Sequence, residues 1–302
     1  MNFLALISAL VLCYYFPQPK ADYLQQVYRP YVRLLLQRFS DGSTKIGIMA
    51  WLLGVLLPVL AIALMEGVLL KINAFPSFLF NVAILYFTLQ FSHFGQQAEH
   101  IANALRDNNI DLARQLFSAW DAGDASAYQS NEIARASIEA TLKQAHHGLF
   151  APIIWFAILG PAGAVLYALA YLFKRQWPTH SAHQQLFCRI FNWLNWLPAR
   201  ITASSFAIVG DFEDAIYCWR AQASSWPDFS MGIILASGAG ALGVKLGESL
   251  FSKGVLQYRP ELGLGDEADA DYLQSAVGLV WRVIILMAGL MFLLTFANWL
   301  GD

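Results

Sequence analysis

The sequence predicts an all-α integral membrane protein with about four transmembrane helices, one or two re-entrant segments and a cytoplasm-facing helical layer. Three observations carry that expectation. The 302 residues are 57% apolar and only 13% charged, where soluble domains carry about 25% charged residues, and the mean hydropathy is +0.47. Ile46–Leu70 and Leu149–Phe173 are each 25 residues long and largely apolar, enough to cross a hydrocarbon core of about 30 Å. Basic residues gather in two blocks, five in 17–45 and eight in 174–260, while Lys71 stands alone between two apolar runs. By the positive-inside rule both blocks face the cytoplasm and Lys71 marks the other side. The expected location is a bacterial inner membrane, crossed several times, with the lipid bilayer as the first partner.

Residues 2–16 form an apolar run ending at Pro17. Without a basic leader region or a small-x-small cleavage site, the run reads as a short first membrane helix and not as a signal peptide. In 17–45, the stretch YVRLLLQRF spaces apolar and basic residues as a helix lying on a membrane surface would. Ile46–Leu70 follows, with Pro58 as a potential kink and Glu66 near its end, and the short Lys71–Ala74 link turns it into a second span, Phe75–Phe94.

Residues 95–147 are polar, with helices expected at 97–119 and 130–145 around an Asp-Ala-Gly-Asp-Ala-Ser turn. Leu149–Phe173 carries Gly160-Pro161-Ala162-Gly163 at its midpoint. A full span would place the arginine-rich 174–260 outside, so a re-entrant hairpin broken at Gly160 is the expectation. Residues 176–230 read as semi-polar helices. Residues 231–250 are apolar with five glycines, and Gly243 and Gly247 stand four apart, a spacing that suits close helix packing within the chain or in a homo-oligomer. Five acids from Glu261 to Asp271 precede the last span, about 275–300. The chain is read as one polytopic domain, 1–302, in which 96–147 and 174–230 face the cytoplasm.

Some function classes fall away. A net charge of −2 without a basic run offers nothing to a phosphate polymer, so nucleic acid is excluded. The three scattered cysteines have no CxxC spacing, and no HExxH, GxSxG or GxxxxGK[ST] occurs. His146-His147 lack the spacing of a metal-ligand set, so no metal is expected and the cofactor stays unknown.

The candidate ligand-binding residues are Asp124, Glu132, Arg135, Glu139, Asn195, Arg200 and Lys245. Glu132, Arg135 and Glu139 sit at i, i+3 and i+7 on one helix face. A solvated ion-pair face explains that spacing as readily as a polar site at the membrane edge. Arg200 offers a fork of donors for a phosphate or carboxylate, or simply anchors the topology. Lys245 falls within the Gly-rich apolar run, where a buried charge needs a partner or a cavity. A small molecule or phosphate-bearing ligand at the cytoplasmic face is the expected partner.

From Asp111 to Gly247 the sequence resembles the CobD/CbiB superfamily, which holds adenosylcobinamide-phosphate synthases and AmpE inner-membrane proteins. The resemblance rests on DLAR at Asp111–Arg114, Asp124 at the aspartate of a GRDT motif, EIARASIE at Glu132–Glu139, Ala151-Pro152, NWLPAR at Asn195–Arg200 and AGALGVKLG at Ala239–Gly247. It implies an enzyme that joins an amino alcohol to a corrinoid carboxylate with hydrolysis of ATP. The sequence departs from the pattern where polar or acidic groups are typical: Gly123 and Ala125 flank Asp124, Lys143-Gln144 replaces Glu-Asn, His147 replaces Asp, Tyr171 and Lys174 replace Asn and Asp, and Ser230 and Leu235 stand for an Asn and an acid. Those losses favour an AmpE-like, ligand-sensing member tied to cell-wall and β-lactamase-induction signalling. An amide synthase with an altered site and a scaffold subunit of a membrane complex are the alternatives.

Overall fold

Two helices open the chain, α1 (Asn2–Tyr15) and α2 (Tyr23–Phe39), in a computed structural model that describes residues 2–16, 23–39, 44–89, 93–121, 125–177, 183–252 and 255–301. On α2, Tyr28, Val32 and Leu35 are buried at i, i+4 and i+7, while Arg29, Arg33 and Arg38 stay exposed. This is the two-faced helix that YVRLLLQRF predicts.

The reason for its buried face lies in Pro58. Helix α3 (Thr44–Trp51) passes through a π-helical turn, Leu52–Leu56, into α4 (Leu57–Ile72). Pro58 has no N–H, so the Gly54 carbonyl lacks its α-helical donor and the Leu53 carbonyl its π-helical one. Tyr28 donates its hydroxyl to Gly54 O at 2.7 Å, and Tyr31 donates to Leu53 O at 2.8 Å. Tyr28→Phe leaves a buried carbonyl unpaired and is expected to cost about 1–3 kcal/mol. Tyr31→Phe, at a less buried bond, costs less. Unfolding of the two variants in mixed detergent micelles measures both.

Asn73 alone joins α4 to α5 (Ala74–Thr88), and its side chain accepts from Phe75 N at 3.1 Å. Helix α5 is shorter than the Phe75–Phe94 span expected. The polar stretch that follows forms α6 (His93–Arg106), α7 (Ile110–Asp121) and α8 (Ser130–Ala145). A second π-helical turn, His146–Phe150, leads into α9 (Ala151–Gln176).

Helix α9 breaks where the Gly-Pro pair predicts. Gly160 has φ 64° and ψ −154°, a region essentially reserved for glycine. Around it the Trp155 carbonyl oxygen packs onto Gly163 with no room for a Cβ. In a straight helix those residues would be about 12 Å apart along the axis, so the chain bends sharply there. The Glu66 carboxylate lies against the break, 3.2 Å from where a Gly160 Cβ would stand.

Helices α10 (Gln184–Val209), α11 (Phe212–Gln222), α12 (Phe229–Leu242) and α13 (Ala270–Gly301) complete the helical set. Among the described residues, three helical runs are long and apolar enough to cross a membrane: Thr44–Ile72, Ser130–Gln176 and Ala270–Ala297. Asn2–Tyr15, Ala74–Thr88 and Phe229–Leu242 are shorter apolar helices. The protein is therefore an all-α membrane protein.

Two expectations need correction. The run 231–250 is not one helical segment, because α12 ends at Gly243 in the left-handed conformation. Gly243 and Gly247 are turn and strand residues. Close helix packing falls instead to Gly238, whose Cβ would meet Leu142 Cδ1 at 2.7 Å, and to Gly240, set against the Asp214 carbonyl. After α12 come four short strands: β1 (Leu246–Gly247), β2 (Leu250–Ser252), β3 (Val255–Gln257) and β4 (Glu261–Leu262). They pair antiparallel, β1 with β4 and β2 with β3. Strands of two or three residues carry no periodicity for a sequence reading to detect.

The chain forms two compact units. The first holds Met1–Ser92, His147–Pro198 and Ala288–Asp302, and the second His93–His146 and Ala199–Met287. An aromatic core of Phe173, Trp177 and Phe187 fills the first, joined by Tyr28, Val55 and Tyr167. Its Phe173–Phe187 and Trp177–Phe187 ring pairs are edge-on, with centroids 5.0 and 4.9 Å apart, the arrangement that ring quadrupoles favour. In the second unit α8 is buried almost end to end, from Ile133 to Leu142.

Candidate functional site

Helix α8 begins with a capping box. Gln129 N donates to Glu132 Oε2 at 2.7 Å, so the Glu132 carboxylate satisfies a backbone donor at the helix start. One and two turns further on, Arg135 and Glu139 point from the same face and are 6% and 8% exposed. For charged side chains such burial demands partners.

The partners come from the segment after α12. Glu139 Oε1 accepts from Gly247 N at 2.9 Å, and its two oxygens accept from Arg259 Nη1 at 2.6 Å and Nη2 at 3.2 Å. This forked pairing is the strong form of an arginine–carboxylate contact. Arg259 also donates from Nε to Glu248 O and from Nη2 to Gly247 O, both at 3.1 Å, and its guanidinium lies 5.5 Å from the Trp226 ring centroid. Arg135 Nη1 donates to Glu248 Oε2. Arg135 Nε is buried without a hydrogen-bond partner.

The backbone shapes this cluster. Gly247 has φ 78° and Glu248 φ 58°, two consecutive left-handed residues, the second uncommon outside glycine. Pro260 O abuts Gly247 where a side chain would begin. The AGALGVKLG segment thus supplies a helix end, an extended stretch and a tight turn that presents one N–H to Glu139. Arginine forks of this kind suit a carboxylate or phosphate, and Arg135 retains a buried donor.

The other expected residues fall elsewhere. Lys245 is 43% exposed and pairs with Glu261 at 3.4 Å. It is not buried at membrane depth, because the helix has already ended at Gly243. Arg200 is half-buried on α10 in the second unit. Asp124 lies outside the described residues.

Asn195 belongs to the first unit, in a different polar cluster. Tyr167 donates to Asn195 Oδ1 at 2.8 Å, and His147 Nδ1 is 2.7 Å from the Tyr167 hydroxyl. With the phenol proton spent on Asn195, His147 Nδ1 is the donor of that bond. Tyr171 stacks on His147, centroids 4.3 Å apart, and Lys174 Nζ sits 4.7 Å from the Phe191 ring centroid. His146 is fully buried and 2.9 Å from Thr202 Oγ1.

Three positions at which the resemblance implies acidic or amide groups therefore gather as His147, Tyr171 and Lys174, occupied by one another and by Phe191. Among the described residues no three His, Cys, Asp or Glu side chains converge as a metal would require. Among the described residues, the His147, Tyr171 and Lys174 side chains supply no carboxylate to a magnesium ion.

Arg259, Glu248 and Tyr167 were not among the expected site residues. Arg259 entered only as one of eight topology charges. Glu248 carried a usable signal, since it directly follows the AGALGVKLG segment.

A family model described as CobD/Cbib protein matches residues 7–280. The chain is 32% identical over 306 residues to the cobalamin biosynthesis protein CobD of Stutzerimonas stutzeri (strain A1501), covering 99% of this chain and 98% of that one. It is 35% identical over 213 residues to the cobalamin biosynthesis protein CobD of Chromobacterium violaceum, covering 69% and 68%. A third relative of the same description, from Leptospira interrogans, is 29% identical over 194 residues, 61% of this chain and 62% of the relative. No solved structure matches the chain.

Proposed function

The chain belongs to the CobD/CbiB protein family, and on that premise we propose that it acts in cobalamin biosynthesis as a membrane-embedded amide synthase. It joins an amine to a corrinoid carboxylate with hydrolysis of ATP, the released phosphate carrying away the carboxylate oxygen as the C–N bond forms, at a cytoplasm-facing site of the bacterial inner membrane. The comparisons support this reading better than the AmpE-like regulatory one, because the named relatives are cobalamin biosynthesis proteins, one of them matched over nearly its full length.

The observation that carries the proposal is the meeting of two motif-bearing segments in one charged cluster. The EIARASIE helix and the AGALGVKLG turn lie about a hundred residues apart in the chain, yet Glu139 bonds Gly247 N and Arg135 pairs with Glu248. Arg135, with its unpaired buried Nε, is assigned to an anionic group of the substrate. Glu139 and Arg259 fix the loop that closes over it. Arg200, Lys245 and Asp124 belong to the same proposal as ligand-binding residues, Glu132 as the residue that sets the start of α8, and Asn195 as a ligand-binding residue of the separate cluster in the first unit.

Complementation tests it. Expressed in a strain lacking its adenosylcobinamide-phosphate synthase, this chain is expected to restore cobalamin-dependent growth. Arg135→Ala should abolish the rescue while leaving membrane levels within about twofold, provided that the guanidinium serves binding and not folding alone. Absence of rescue by well-expressed, membrane-inserted wild-type protein sinks the synthase reading.

A further inference from the structure

Within the first unit, Trp51, Trp155, Arg189, Ile190, Trp193 and Leu194 line a groove of about 480 Å³. Its wall is apolar apart from one guanidinium. Three of the chain's ten tryptophans meet there, and Trp193 is 83% exposed. Trp155 is fixed as a wall, because its indole N–H donates to Leu194 O at 3.2 Å. That carbonyl is the one freed by Pro198, four residues further along α10.

Arg189 is exposed on α10 and forms no ion pair or hydrogen bond among the described residues. No Asp or Glu occurs anywhere in residues 147–198. The unit as a whole carries nine Lys or Arg against four Asp or Glu. An unpaired arginine over an apolar slot, in a cationic unit that also holds the Thr44–Ile72 span, matches a ligand with a negative head and a hydrocarbon tail. Indole rings settle at that boundary, where one end of the side chain is apolar and the other wet.

We propose that this groove seats an anionic glycerophospholipid of the cytoplasmic leaflet, with the phosphate on Arg189 and an acyl chain along Trp51, Trp155 and Leu194. The bound lipid completes a wall that the protein leaves open.

Native mass spectrometry of the full-length chain tests the assignment, with phosphatidylglycerol and phosphatidylcholine of identical acyl chains as probes. Phosphatidylglycerol adducts are expected to dominate by about fivefold, the preference that one interfacial arginine confers. Arg189→Gln should bring them down to the phosphatidylcholine level. Arg175→Gln, another exposed cation of the same unit, should leave them unchanged, and both variants should keep the helical circular dichroism of the parent. Equal binding of the two lipids, or equal losses in the two variants, overturns the proposal. A two-chain species that disappears with Trp193→Ala would also overturn it, by assigning the groove to a second copy.

Discussion

Glu139→Ala is expected to destabilise the protein by about 3–5 kcal/mol, because it strands a mostly buried arginine. Arg259 is 20% exposed and directs two of its N–H groups at this carboxylate. Gly247 N loses its acceptor in the same step. Glu139→Gln keeps the volume and one acceptor oxygen and should cost less, while still breaking the fork. The decisive measurement is a double-mutant cycle with Arg259→Ala, read by unfolding in detergent. The double variant should be clearly less damaged than the sum of the singles, with a coupling of about 1–3 kcal/mol. Additive losses would mean that the pair contributes nothing as a pair. In the complementation assay Glu139→Ala should abolish growth, since the turn it holds also positions Glu248 beside Arg135.

Gly247→Ala should be nearly as damaging, and for a different reason. The left-handed conformation alone costs an L-residue about 1–2 kcal/mol. At Gly247 the added Cβ also runs into the Pro260 carbonyl, part of the backbone of the paired strand segment, so the β1–β4 pairing has to shift. A total of about 3 kcal/mol or more follows, as in other overpacked sites. Gly243→Ala is the control. It too is left-handed, at φ 68°, but nothing lies within 4 Å of its Cβ position. Only the conformational part of the cost should appear there. If both alanines unfold at the same denaturant fraction, the steric argument for Gly247 fails.

Much of this was legible in the residue pattern. The apolar runs, the break at Gly160-Pro161 and the shared face of Arg135 and Glu139 all follow from periodicities that act over one or two helical turns. Other features were hidden because their causes are not local. Five glycines in 231–250 are equally compatible with helix packing and with turns, and only tertiary contact separates Gly238 and Gly240 from Gly243 and Gly247. Glu132 looked like a site acid, yet its carboxylate serves a cap whose first residue is Gln129, an unusual choice for that position. Arg259 lies 120 residues from the carboxylate it pairs with, a distance that no pattern in a single sequence spans.

The tyrosine bonds to Gly54 and Leu53 bear on biogenesis. A nascent segment from Thr44 onward would leave the ribosome with two bare carbonyls, and in hydrocarbon each would cost several kcal/mol. Helix α2, synthesised earlier, already holds the two hydroxyls that quench them. Integration of this hairpin is therefore tied to the segment translated just before it, and the order of the elements along the chain doubles as an assembly schedule.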